Sequence, residues 1–283
     1  MLSYQHGFHA GNHADVVKHL VLLGLLRKLQ AKDKPFTCID SHGGAGMYDL
    51  CSRQASLNAE HDSGISLLWQ QSLQDPLLAD YQRQVGAFND HRLRVYPGSP
   101  LLIQANLRAD DRLQVIELHP AEIEYLRHHL GEDRRVGVHH RDAFEGLLAL
   151  CPPEPRRGLA LIDPSYENSS DYRRVVDTLV RLHRRWPVGI VAVWYPKLGL
   201  RRDRSAWLCR AVARAGLPNC LNIELDAAAQ TEDFGMHGSG MLVVNAPWQF
   251  DRMLEPALQE LRGFMSKEAA WRITWLTSES AGT

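Results

Sequence analysis

Four consecutive residues, Asp163-Pro164-Ser165-Tyr166, place an acid, a proline and an aromatic ring directly after the apolar run Gly158-Leu159-Ala160-Leu161-Ile162. The run reads as a buried strand and the four residues as its exit loop. In an open parallel sheet, ligands bind in the crevice beyond the carboxyl ends of the strands. One chemistry that suits such a loop is attack by the exocyclic amine of adenine, a poor nucleophile because its lone pair is delocalised into the ring. A carboxylate (Asp163) and a backbone carbonyl (Pro164), both accepting N–H hydrogen bonds, favour the pyramidal amine, and an aromatic face (Tyr166) holds the base by stacking, worth about 1 to 3 kcal/mol. The structural alternative is an ordinary Asp-Pro turn with a tyrosine lid on the core. A look-alike, Asn245-Ala246-Pro247-Trp248, follows Met241-Leu242-Val243-Val244, so both loops cannot be the active one.

A second group with chemical potential follows Phe36-Thr37-Cys38-Ile39-Asp40, which reads as a first strand leading into Ser41-His42-Gly43-Gly44-Ala45-Gly46. Glycines there let backbone approach a nucleotide-type cofactor closely. The spacing is not the dinucleotide G-x-G-x-x-G. It is Asp-x-His-x-Gly-x-Gly, nearer to loops that hold S-adenosylmethionine, and it disfavours a nicotinamide dehydrogenase. An acid ending the next strand can take the ribose hydroxyls, and Glu117 ends Leu113-Gln114-Val115-Ile116-Glu117. Asp142, after Val136-Gly137-Val138-His139, either accepts a cofactor's adenine amine or caps a helix.

The elements that must position these residues alternate as strand and helix. Strands are expected at 36–40, 113–117, 136–139, 158–163, 189–194, 220–225 and 241–245, with helices between them, which defines a doubly wound α/β sheet. A helix is expected from Asp15, as N-cap, through Leu29. Ser99 is expected to cap a helix running from Pro100 to about Arg108. Residues 48–94 exceed what this plan needs, and their helical periodicity predicts a small helical insertion above the cleft, within reach of substrate. His9 and His13 stand at i, i+4, but Gly11 and Asn12 oppose a helix between them and no carboxylate pair completes a set, so no metal site is expected.

The chain of 283 residues, 45% hydrophobic, can bury a full core. Its apolar runs fall short of the roughly 18 to 20 residues that span a bilayer and no leader pattern opens it, so a cytoplasmic location is expected. Five scattered cysteines without a C-x-x-C pair argue against a disulfide framework or zinc ribbon. Net charge is -1. Charge is nevertheless uneven: from Arg173 to Arg214, ten arginines and one lysine face only Asp177 and Asp203, a local balance of +9. That stretch is either an electrostatic footprint for nucleic acid or a set of solvated helix faces.

Longer strings give these features a family shape. Met1-Leu2-Ser3-Tyr4, His6, Phe8-His9-Ala10-Gly11-Asn12-His13-Ala14-Asp15, Lys18-His19, Tyr96-Pro97-Gly98-Ser99-Pro100, Glu117-Leu118-His119-Pro120, Trp194-Tyr195-Pro196 and Gly238-Ser239-Gly240-Met241 join the two loops. Together they resemble the RlmJ family of bacterial large-subunit ribosomal RNA adenine-N6-methyltransferases, over almost the whole chain. The resemblance implies a Rossmann-like class I methyltransferase sheet of seven strands, the last antiparallel, which would put Asn245 at the edge opposite the cofactor. It implies S-adenosylmethionine bound at Lys18, His19, His42, Ser99, Glu117, Asp142, Ala143 and Asp163, with Asp163 also at the reacting amine. An amino-terminal arm, residues 1–14, would fold over the cleft, with Tyr4 at the substrate entrance and His6 and Lys18 supporting it. The implied partner is 23S rRNA, free or in an assembly intermediate, and the implied state a monomer. DNA adenine methylation, or non-catalytic nucleic-acid binding in DNA uptake or catabolism, are the competing readings. Two positions depart from the family: Ser165 stands where Pro is expected and Gly43 where Ala is usual.

Overall fold

A computed structural model describes residues 6–232 and 235–277. The strands are β1 (Thr37–Asp40), β2 (Met47–Asp49), β3 (Val95–Pro97), β4 (Arg112–Glu117), β5 (Val136–His140), β6 (Gly158–Ile162), β7 (Ile190–Leu198), β8 (Leu221–Asp226), β9 (Met236–Val244) and β10 (Ala270–Trp275). The α-helices are α1 (His13–Gln30), α2 (Arg53–Asn58), α3 (Ile65–Leu68), α4 (Pro76–Gly86), α5 (Ser99–Ala105), α6 (Pro120–Leu130), α7 (Ala143–Leu150), α8 (Asp171–Arg185), α9 (Ser205–Arg214) and α10 (Phe250–Gly263). Among the described residues no helix is long and apolar enough to cross a membrane.

The main sheet has the order β10-β8-β9-β7-β6-β1-β4-β5. All seven expected strands are present, and their order, counted among themselves, is 3-2-1-4-5-7-6. β1 lies between β4 and β6, parallel to both, with Asp40 level with Val115 and Leu161. The loops after β1, β4 and β6 therefore leave the sheet side by side. β9 runs antiparallel to β7, pairing Val191 with Val244. Asn245 thus lies at the opposite edge, where its side-chain amide donates to the carbonyls of Pro187 (2.8 Å) and Gly189 (2.7 Å). The look-alike is a structural turn. Beyond the expected set, β10 pairs antiparallel with β8 and makes the sheet eight-stranded, while β2 and β3 form a separate two-stranded ribbon.

Helix α1 starts earlier than its expected Asp15 cap. Asn12 caps it, its side chain accepting from the N–H groups of Ala14 and Asp15. Every residue from His13 to Leu26 is buried, as befits a helix that is apolar on all sides and has no solvent face. One side packs on β6, β7 and β9; others meet α4, α5 and α10. The expected insertion consists of α2, α3, α4 and a 3-10 turn at Glu60–Ser63. Its longest helix leans on α1 and α10, and of residues 48–94 only Tyr48 lines the cleft among the described residues.

Candidate active site

The cleft over the carboxyl ends of β1, β4, β5 and β6 has a volume of about 400 Å³, in the range of small-molecule sites. It is lined by residues from separate stretches of chain, among them His6, Lys18, His19, His42, Ser99, Glu117, Asp142, Ala143, Asp163 and Pro164. Ten of the twelve positions singled out in the sequence thus meet in one cavity. Tyr4 lies outside the described residues.

Tyr166 is placed differently from expectation. Its backbone is left-handed (φ 52°), its ring packs 4.4 Å from that of Tyr172, and its hydroxyl donates to the Trp194 carbonyl at 2.8 Å. It is buried and does not line the cleft. An aromatic pocket and a backbone acceptor draw the ring inward, so in this structure it offers no face to a base. A left-handed tyrosine costs on the order of 1 to 3 kcal/mol, which these contacts offset.

At the floor, Lys18 bridges two carboxylates, its Nζ lying 2.6 Å from Asp163 Oδ2 and 2.8 Å from Asp15 Oδ1. Asp15 Oδ2 in turn accepts from His6 Nε2 (2.9 Å) and the Gly11 N–H (2.9 Å). Burial alone would lower the Lys18 pKa, but Asp15 and Asp163 outweigh it and hold the ammonium well above the ordinary lysine value. For Asp15, burial is outweighed by His6 and Lys18, and the carboxyl stays well below its usual range. Sequence reading took Asp15 for a helix cap. Its spacing of three from Lys18, one turn of helix, was the signal that could have revealed the ion pair.

His19 is a neutral imidazole, since burial and then Lys18 push its pKa down to about 3. Tyr81 Oη lies 2.9 Å from Tyr96 Oη, which lies 2.7 Å from His19 Nδ1. Every proton is satisfied if Tyr81 donates to Tyr96 and Tyr96 to Nδ1, which leaves the hydrogen on Nε2. That Nε2 is buried and has no partner among the described residues, so a cleft-lining donor waits for an acceptor. Asp40 Oδ2 is likewise buried without a partner. Its carboxyl is pushed up to about 7, mainly by burial and against a hydrogen bond from Ser99. Ser99 is the first residue of α5, whose cap is Gly98 and not the expected Ser99.

The glycine loop closes the other wall. Gly44 is left-handed (φ 56°), and a Cβ there would sit 2.1 Å from the Tyr48 hydroxyl. Its N–H donates to Glu117 Oε2 (2.8 Å), while Oε1 accepts from His119 N–H (2.6 Å). At Gly43 a Cβ would lie 2.4 Å from Val115 Cγ1 and 2.9 Å from Leu126 Cδ2, so any larger residue would force its neighbours to shift. Asp142 proves to be the cap of α7, accepting from Phe144 and Glu145 N–H through Oδ1, and its Oδ2 holds Arg174 at 2.9 Å. Arg174 stacks on the Phe144 ring at 4.3 Å. Its place in the basic stretch was the one sequence signal, and its pairing with Asp142 could not be read because it comes from a different crossover.

The residues fit S-adenosylmethionine: a glycine cradle, a carboxylate on the second strand, an unsatisfied imidazole donor and an apolar wall from Ala143 and Phe144. Strand order, antiparallel β9 and this cleft define a class I methyltransferase. The family described as "Ribosomal RNA large subunit methyltransferase D, RlmJ" matches residues 33–277. The chain belongs to that family. It is 40% identical to "Ribosomal RNA large subunit methyltransferase J" of Escherichia coli over 99% of this chain and 100% of that protein, and 37% identical to the protein of the same description from Haemophilus influenzae, with the same coverage. A crystal structure of a Legionella pneumophila protein shares 32% identity and a TM-score of 0.85, covering 94% of this chain and 98% of that one.

Proposed function

We propose that this protein methylates N6 of an adenine in 23S rRNA with S-adenosylmethionine as donor. The observation that carries the reading is the anchored carboxylate of Asp163, set at the floor of the cleft that the glycine loop and Glu117 enclose. When bound, the cofactor supplies an electrophilic methyl group on a sulfonium.

The protein's own groups prepare the amine. Lys18 occupies Oδ2 of Asp163, leaving Oδ1 as the acceptor for an N6 proton. The Pro164 carbonyl is the second acceptor, and together they favour a localised nitrogen lone pair. Lys18, shared with Asp15, holds Asp163 in place, so its role is acceptance of a hydrogen bond; the surplus proton leaves to solvent after transfer. His19, with its unpartnered Nε2 as a donor, and Glu117, with its carboxylate as an acceptor, are residues that would hold the cofactor.

The test is incubation with radiolabelled S-adenosylmethionine and large-subunit rRNA from cells lacking the gene, followed by mapping of the label. Label as N6-methyladenine in rRNA is expected. Label on duplex DNA alone would replace this reading with a DNA methyltransferase. Absence of cofactor binding in calorimetric titration would leave only nucleic-acid binding without catalysis.

A further inference from the structure

The basic stretch from Arg173 to Arg214 divides once its helices are placed. Helix α8 begins at the cleft edge of the sheet, where Arg174 meets Asp142. It ends at the opposite edge, where Arg185 donates to the Leu148 carbonyl and Trp186 Nε1 to the Arg156 carbonyl. Helix α9 follows β7 and runs the same way. Arg173, Arg201, Arg202 and Arg204 therefore stand at the cleft edge, and Arg184, Arg185 and Arg214 at the far one. Eleven helical steps from Arg173 to Arg184 span on the order of 16 Å, about two Debye lengths at physiological ionic strength. The two groups cannot serve the same phosphates.

The cleft-edge loop is held in place. Gly199 and Leu200 N–H donate to the carbonyls of Gly235 (3.1 Å) and Thr231 (3.0 Å), and Asp203 Oδ1 accepts from Ser205 N–H (2.8 Å). Arg173, Arg202 and Arg204 are exposed, and their guanidinium groups have no hydrogen-bond or ion-pair partner among the described residues. Arg202 and Arg204 lie within electrostatic reach of Tyr172, which packs on Tyr166 of the Asp163 loop. The opposite lip carries Glu117, Glu122 and Leu118. Carboxylates line the mouth on both sides, with Glu167 and Asp171 on the β6 side, and the exposed guanidinium groups of Arg173, Arg202 and Arg204 stand outside that lining, toward β7.

We propose that the RNA strand bearing the target base enters over the β6–β7 side, its phosphates held by Arg173, Arg202 and Arg204, and that the far-edge arginines take no part. This rests on the methyltransferase reading above. The experiment compares Arg202→Gln/Arg204→Gln with Arg184→Gln/Arg214→Gln in binding to a large-subunit rRNA transcript across a salt series, and adds Arg173→Gln as a third variant on a different element. Expected is a loss of about tenfold or more for the first pair, with a log–log salt slope flatter by about one per phosphate contact removed. Arg173→Gln loses one such contact, and the far-edge pair stays within about twofold. Cofactor titration of each variant reports an intact fold. Equal losses in both pairs, a greater loss at the far edge, or an unchanged slope for both Arg202→Gln/Arg204→Gln and Arg173→Gln overturns the proposal. Failure of the methylation reading shows separately, as absent N6-methyladenine with the unaltered protein while the two pairs still differ in binding.

Discussion

Asp163 cannot offer both oxygens to an incoming amine, because Lys18 already holds one of them at 2.6 Å. Replacing Asp163 by Ala leaves Lys18 paired with Asp15, so the fold should persist while single-turnover methyl transfer at saturating cofactor falls by at least about 10² to 10³, the usual cost of a lost transition-state partner. Turnover within tenfold of the parent would refute the assignment. Asp40 gives a second residue-scale prediction. Its folded pKa, about 7, lies above its ordinary value of 3.8, chiefly through burial. The protonated carboxyl therefore contributes stability most fully below about pH 4, and that contribution declines as pH rises and is gone above about 7. Asp40→Asn mimics the neutral form and should be more stable than the parent at pH 8, by on the order of a kcal/mol or more, with the gap closing toward pH 4. Equal melting temperatures at pH 8 would show that the carboxyl ionises without cost. Glu117, Asp142 and Asp163 were legible because each ends or follows an expected strand, whereas Lys18, His19, Ser99 and Ala143 lie in helices and entered through the family resemblance alone. Asp15 and Tyr166 were misread, since a first-turn acid looks like a cap and an inward tyrosine depends on Tyr172 and Trp194, partners that local sequence does not announce.

At the scale of elements, strand direction decides between two loops of similar composition. Asn245 binds two carbonyls that precede β7, far from Asp163, and its own backbone is left-handed (φ 56°). Asn245→Ala should cost about 1 to 3 kcal/mol in denaturant unfolding, through lost hydrogen bonds and a conformation alanine resists, with kcat unchanged per folded molecule. A drop in kcat beyond about threefold would mean that β9 has been assigned the wrong direction. The buried strands were legible as short apolar runs bounded by turns. β10 was not: its exposure alternates along Ala270–Trp275, it pairs with β8 alone, and its Arg272 and Thr274 carry no sign of a core. The three-residue strands β2 and β3 are too short for any periodicity to register.

For the whole molecule, the cleft joins residues from His6 to Arg174, so occupying it ties distant parts of the chain together. Cofactor at about 100 times its Kd should stabilise the native state by about 2.7 kcal/mol, a rise in melting temperature of roughly 4 to 5 °C for a chain of this size. No rise would argue that the cavity does not take the cofactor. Helix α1, which carries Lys18 and His19, lies at the centre of this arrangement, buried on every side from His13 to Leu26 and packed against β9 and α10. Those partners are synthesised some two hundred residues after it, roughly 10 to 40 s at ordinary rates of synthesis. The faces of the helix that β9 and α10 cover stay open for that interval, apolar surface of the kind that favours aggregation or chaperone capture of a nascent chain.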